Sequence, residues 1–310
     1  MSELLRQQDQ VIAVNIETTY GTPATVEGSH AVLASDLSVN MLEGNVADRN
    51  NITGFMGNQG GITVGRKITA SFGVEFAGSG TANTAPAWGK LLRACGMGEV
   101  IGANDVTYTP VGSGFESVTM LYRIQKVQQR LKGARGKFSL QLDSQTIPMM
   151  MFEFESLYDA PTVESIALAG VDTSAFKAPL GQTKDTGEVT FLGSPVRMQK
   201  LTIDLGVEVQ FVEDVGSESV EIVGREGSVN LSFRTTDAQL VAAIENASNN
   251  VEGALNAVHG NGAGKTLTVN VPNVQVRTAA VSWDGEIANV DITADIRPLT
   301  ANTDLTITQS

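Results

Sequence analysis

Two histidines and a single cysteine are all the imidazole and thiol that this 310-residue chain carries, and only 5% of its residues are aromatic. One cysteine excludes an intrachain disulfide framework, and the position of Cys95 on an apolar stretch with Leu91 and Leu92 reads as a buried thiol rather than a nucleophile. His30 and His259 fall in separate turn-like contexts, so no nucleophile and base pair can be assembled and no metal-ligand spacing is present. Basic residues are scarce too. Against 34 acids stand 21 Lys and Arg, a net charge of −13, the wrong sign for a protein that holds nucleic acid by neutralising phosphates. No run approaches the ~18 apolar residues of a membrane helix. The polar opening, Met1 to Gln10, has no signal-like apolar core, so synthesis in the cytoplasm without export is expected. The composition therefore speaks against an enzyme and against a membrane protein, and neither metal nor cofactor is expected.

What is there is alternation. Leu201, Ile203, Leu205, Val207, Val209 and Phe211 alternate with Thr202, Asp204, Gly206, Glu208 and Gln210, the pattern of a half-buried strand. A second strand follows at Val229, Leu231 and Phe233, then a short helix capped by Thr236 with Leu240, Val241 and Ile244 at helical spacing. A hairpin through Asp284-Gly285 joins Ala279-Val281-Trp283 to the run Ala288 to Ile296. The first half gives the same order: Leu37-Val39-Met41, Ile68 to Phe76, a helix led by Pro86 with Trp88, Leu91, Leu92 and Cys95, and a closing pair, Phe138-Leu140-Leu142 with Met150-Phe152-Phe154. The repetition reads as an internal duplication. Low identity between the halves also fits two ordinary β domains of similar layout.

The fold class expected is mainly β with short helices. Residues 1–35 read as an arm, 36–158 as a first domain, 159–198 as a connector with a strand near Val189 to Leu192, 199–298 as a second domain and 299–310 as a polar tail. The stretch from Leu42 to Ile62 is rich in Gly and Asn and reads as a long loop reaching out to a neighbour. Gly260-Asn261-Gly262-Ala263-Gly264-Lys265-Thr266 ends like a phosphate loop. However, His259 stands where the first glycine is required, and a strand follows instead of a helix, so it reads as a turn.

Charge is unevenly placed. Arg123, Lys126, Arg130, Lys132, Arg135 and Lys137 lie in one stretch free of acids, while Glu213, Asp214, Glu218 and Glu221 cluster in the second half. The basic run is either a solvated face or a dock for the acidic cluster of a neighbouring copy. Glu153 and Glu155, like Asp291 and Asp295, share one strand face. A polar sheet face explains them without chemistry.

Glu17-Thr18-Thr19-Tyr20-Gly21-Thr22-Pro23-Ala24 resembles the start of many tail tube proteins of long-tailed bacteriophages, and the strand, long loop, strand, helix and hairpin that follow resemble that family's fold over most of the first half. The resemblance implies tandem β-sandwich-like tube domains whose sheets join neighbours into a β-barrel ring, in a virion protein made in the host cytoplasm. Rings would stack into a tube through which double-stranded DNA passes without specific binding, with tail terminator and tip proteins as further partners. Most members carry one such domain and form hexamers; two domains per chain imply a trimeric ring of homo-oligomer subunits. The lumen-facing charges would be Lys67, Glu75, Lys137, Asp143, Glu153 and Glu155, then Asp204, Glu208, Arg234, Asp291 and Asp295, about −5 per chain. A non-enzymatic adhesin or receptor-binding β-sandwich is the alternative.

Overall fold

A computed structural model describes residues 4–54, 56–164 and 168–310. The first half contains β1 (Gln10–Ile16), β2 (Ala34–Asp48), β3 (Gly61–Glu75), α1 (Gly89–Ala94), β4 (Met97–Ile101), β5 (Val106–Pro110), β6 (Val118–Ile124), β7 (Val127–Gln141) and β8 (Met149–Leu157). Short strands β9 (Thr162–Val163), β10 (Gly187–Phe191) and β11 (Ser194–Pro195) lead into the second half. There follow β12 (Arg197–Asp204), β13 (Val207–Asp214), β14 (Ser217–Arg225), β15 (Ser228–Arg234), α2 (Asp237–Ser248), β16 (Glu252–His259), β17 (Leu267–Asp284), β18 (Ile287–Ile296) and β19 (Thr306–Gln309).

Eight strands form one continuous antiparallel sheet in the order β2, β3, β8, β7, β12, β15, β18, β17. Four come from each half, and the order is the same on both sides of the junction between β7 and β12. That junction is short: Ser139, Leu140 and Gln141 pair with Asp204, Ile203 and Thr202. Bulges recur at matching places, in β2 between Ser35 and Ser38 and in β12 between Met198 and Lys200. The closing strands repeat this, with breaks of register between Lys132 and Arg135 in β7 and between Val276 and Thr278 in β17. At those bulges the two long strands turn away to build further pairings, as strands do when they switch sheets. The first part of β7 pairs with β6, which pairs with β1, and the first part of β17 lies between β16 and β19.

Alternation places the apolar side of the eight-stranded sheet inward. Phe72, Phe138, Phe152 and Phe154 pack there with Leu201, Ile203, Val229, Leu231, Val290 and Ile292, in one buried cluster that spans both halves. Trp88, at the start of α1, is buried between Phe76 and Tyr108 and donates its indole N–H to the Ala77 carbonyl at 2.8 Å. Cys95 is buried, and burial pushes its thiol well above the ordinary range, which suits an inert core residue. The second helix differs. The expected cap at Thr236 forms, as a capping box with Gln239, yet only Ala243 is buried, while Val241 and Ile244 are exposed.

Three expectations need correction. Residues 306–309 are not part of a loose polar tail: β19 pairs with β17 on one side and with β5 on the other, joining the halves a second time, with Leu305 and Ile307 fully buried. The Gln309 side chain accepts from Ser79 N at 2.7 Å and donates to Thr81 O and Thr84 O, which its polar sequence context had concealed. The arm is also built in, since β1 lies along β6 with Ile12, Ala13 and Val14 buried. Finally, the Leu42 to Ile62 stretch is largely hairpin: Asn45 pairs with Val64 and Asp48 with Gly61, so only 49–60 lies outside the strands. Leu42, Val46, Ile62 and Val64 on this extension are exposed.

Removing buried methyl groups from β19 tests its role. Ile307→Ala should cost about 2–5 kcal/mol, read as a lower midpoint in chemical denaturation, whereas a passive tail would tolerate the change.

Candidate functional site

On the outer side of the eight-stranded sheet, cross-strand registers line polar residues into rows. One row runs Ser38, Ser71, Glu153, Lys137 across β2, β3, β8 and β7. Another runs Lys200, Ser232, Asp291 across β12, β15 and β18. A third crosses the junction itself, from Gln141 through Thr202, Asn230 and Thr293 to Thr278 on β17. Hydroxyls and amides thus fill most of the face, with carboxylates between them.

The predicted face residues fall into two groups. Glu153, Glu155, Asp204 and Glu208 surround a groove of about 600 Å³ over the junction, together with Lys137. Asp143 and Asp291 flank a second groove, about 630 Å³, over the second half. Asp295 lies on the same face, opposite Ser228, and is ion-paired with Arg277. Glu75 sits apart at the far end of β3, beside Leu33 and Lys177. Lys200 lines the second groove with Asp143 and was not anticipated, although its spacing from Thr202 and Asp204 marks it as a member of the face.

Several of these charges are neutralised at once. Lys137 meets Glu153 at 2.8 Å, Lys67 meets Glu155 at 3.0 Å, and Arg234 meets Asp284 at 3.0 Å. The hydrogen bond that Lys137 donates to Glu153 holds its ammonium above its ordinary pKa, against the desolvation that opposes it. Among the described residues, Asp143, Asp204, Glu208 and Asp291 make no ion pair. The wall's excess of negative charge resides in them.

The basic run is not one patch. Arg123 bonds Gln128, Arg130 faces Asp159 at 3.7 Å, and Lys126 and Lys137 are exposed. Arg135 is buried. Its guanidinium donates to the Val220 carbonyl at 2.7 Å, the Phe115 carbonyl at 3.0 Å and the Glu221 carboxylate at 2.7 Å, and it stacks over the Tyr20 ring at 4.6 Å. One basic residue and one acidic residue singled out from the sequence therefore meet inside the same chain. Glu213, Asp214 and Glu218 remain exposed at the tip of the β13–β14 hairpin, where Glu213 stands directly opposite Glu218.

The segment around Tyr20 ties together the strand ends it touches. Glu17 is buried and accepts from Gly21 N, Ser117 Oγ, Thr119 Oγ1 and Gly133 N, all within 2.9 Å, so its charge is met by four donors. Tyr20 accepts from Val220 N, and burial raises its phenol pKa. Gly133 has φ of 60° and lies against the Tyr20 ring, so a side chain there would be strained and would meet the ring at 3.1 Å. At the other end of β14, Arg225 ties Asp304 at 3.0 Å to the Val111 carbonyl at 2.8 Å. Two arginines thus bolt the β13–β14 hairpin of the second half onto the first.

A broad polar sheet face backed by a single core, with charged residues committed to structural pairs, defines a structural β protein. The family model described as phage tail tube protein matches residues 7–307. The chain belongs to that family. It is a structural protein of the virion tail, and members of the family assemble into a multi-subunit tube. Comparison with curated proteins found no match. The family match favours the tail tube over the adhesin alternative.

Arg135→Ala should cost about 2–3 kcal/mol in unfolding free energy, since charged hydrogen bonds of this kind are worth ~1.5–3 kcal/mol and the carbonyls are left without a donor. Arg135→Lys should recover little of the loss, because an ammonium cannot span the three acceptors. Equal stability of Arg135→Lys and the parent would show that the fork geometry is unimportant.

Proposed function

We propose that each chain carries two tube domains, 36–158 and 199–298, and that three chains close into a ring with sixfold pseudo-symmetry whose inner wall is the polar face. The observation that carries this reading is the continuous eight-stranded sheet with the same strand order on either side of the junction between β7 and β12. Three such sheets supply about 24 strands, which at ~4.8 Å spacing give a circumference of about 115 Å and a backbone diameter of ~37 Å before tilt widens it. A duplex passes through such a ring with room for inward side chains. The wall acts without catalysis: hydroxyls, amides and a modest excess of carboxylates offer phosphates no cationic grip, so DNA is neither bound nor stalled.

Contacts between copies, within a ring and between stacked rings, fall to the segments that project from the body. The β2–β3 extension carries apolar side chains into solvent, and the acidic β13–β14 tip matches the exposed Lys126 of the basic run on another copy. Terminator and tip proteins would cap the ends of the tube.

Image reconstruction or native mass spectrometry of assembled rings should give three chains per ring; a ring of six chains would overturn the proposal. Val46→Glu with Val64→Glu should leave monomer stability within about 0.5 kcal/mol, as substitutions at exposed sites do, but abolish tube growth. The wall is tested on its unpaired acids. Asp143→Lys, Glu208→Lys and Asp291→Lys together should preserve tubes and slow DNA release from assembled virions, whereas reversing Glu153 or Glu155 would break ion pairs and confound the reading. Unchanged release kinetics would reject repulsion by the wall.

A further inference from the structure

The eight-stranded sheet ends in two open edges, and both look like halves of the junction already present inside the chain. On β17 the core-side residues Val281 and Trp283 are 43% and 70% exposed. Their counterparts by register are Phe138 and Leu140, 2% and 1% exposed: Lys137 and Ala280 stand opposite Glu153 and Asp291, which in turn stand opposite Ser71 and Ser232. The same holds at the other end. Val39 and Met41 on β2 are only half-buried, whereas Leu201, which takes the place of Val39 after the bulge in β12, and Ile203, two residues on, are 0% and 1% exposed. Within the chain, β7 and β12 bury these positions against each other. At the ends of the sheet no described residue of the same chain does so.

We infer that β17 of one copy pairs antiparallel with β2 of the next in the register of the internal junction, so that Asp284 faces Asn40, Trp283 faces Met41 and Ser282 faces Leu42. This register rests on the ring proposed above and specifies its seam. It follows from Gln141 facing Thr202, Leu140 facing Ile203 and Ser139 facing Asp204. The partner is a second copy of this chain, because the edge offered at each end is the complement of the edge at the other. Pairing of unlike edges is heterologous and propagates, which closes a ring; like edges would give a two-fold dimer and stop. By the same correspondence the β2–β3 extension takes the place of the β13–β14 hairpin, which packs against β7 and β8 with Val220 fully buried. The exposed apolar side chains on the face of the extension turned to the neighbour would then be covered by its β17 and β18.

Cysteine pairs test the register. Directly opposed residues on antiparallel strands have Cα atoms ~4.5–5.5 Å apart, inside the range of a disulfide, whereas four residues of slip add ~13 Å. Asn40→Cys with Asp284→Cys, and Met41→Cys with Trp283→Cys, should give under mild oxidation a covalent circle of chains from rings on a denaturing gel. Asn40→Cys with Ala280→Cys should not. Cross-linking by the slipped pair, or by Asn40→Cys alone, would overturn the register while leaving the ring intact; parent protein that forms no rings would defeat the ring reading itself. Trp283→Ala should leave the thermal midpoint of the monomer unchanged and raise the concentration needed for assembly at least tenfold. Assembly at the parent's concentration would remove the apolar half of the seam.

Discussion

Everything in this molecule hangs on a junction of three residue pairs, where Ser139, Leu140 and Gln141 lie along β12. Without it the polar face would be split into two four-stranded sheets. Three backbone pairs are a small contact, and the surrounding structure supplies what they lack: Leu140 and Ile203 are buried beneath them, and the β13–β14 hairpin crosses over from the second half to be gripped by Arg135 and Arg225. Arginine suits both places because a planar fork can reach several carbonyl and carboxylate oxygens at once while its face rests on an aromatic ring. The Tyr20 segment completes the grip from a third direction, through Val220 and Gly133. Gly206, where β12 gives way to β13, has φ of 63° and lies so close to the Glu226 carbonyl that a β-carbon would stand 1.9 Å from it, so the hairpin can leave the sheet only through glycine.

Strands with one wet side and one dry side announce themselves in a sequence, and here they did. The alternation at Val229 to Phe233 and Phe138 to Phe154 matches β15, β7 and β8, whereas the single strand expected over Leu201 to Phe211 breaks at Gly206 into β12, which stays in the large sheet, and β13, which leaves it to pair with β14. The cap at Thr236 and the turn at Gly285 were equally plain. What escaped notice was short or masked by composition. Four residues of β19 alternate Thr and Ile in a Thr-rich context, too brief a run to separate from a polar tail. The β2–β3 extension hides its period behind glycine and asparagine, although Leu42, Gly44 and Val46 keep step.

The face residues were legible as a face and not as a network. Spacing put Glu153, Glu155, Asp291 and Asp295 on one side of a sheet, but pairing partners such as Lys67 and Arg277 depend on register between strands that are distant in the chain. The same limit applies to Arg135. In sequence it is one of six basic residues in an acid-free stretch; only the fold shows that it is buried beside a bulge in β7 while Lys126 and Lys137 stay exposed.

The outer layer joins its halves through β19, whose Thr308 lies beside Thr107, about 200 residues earlier in the chain. A contact of such sequence separation forms late and slowly, because the loop it closes must be drawn together before any pairing rewards it. During synthesis the first half leaves the ribosome with the edge of β5 open, and that edge is filled only after the second half has folded around β17. A strand edge awaiting its partner invites pairing with other chains. The chain therefore passes through an interval in which premature self-association competes with its own completion, and the strand that ends this interval is the one that joins the two halves a second time.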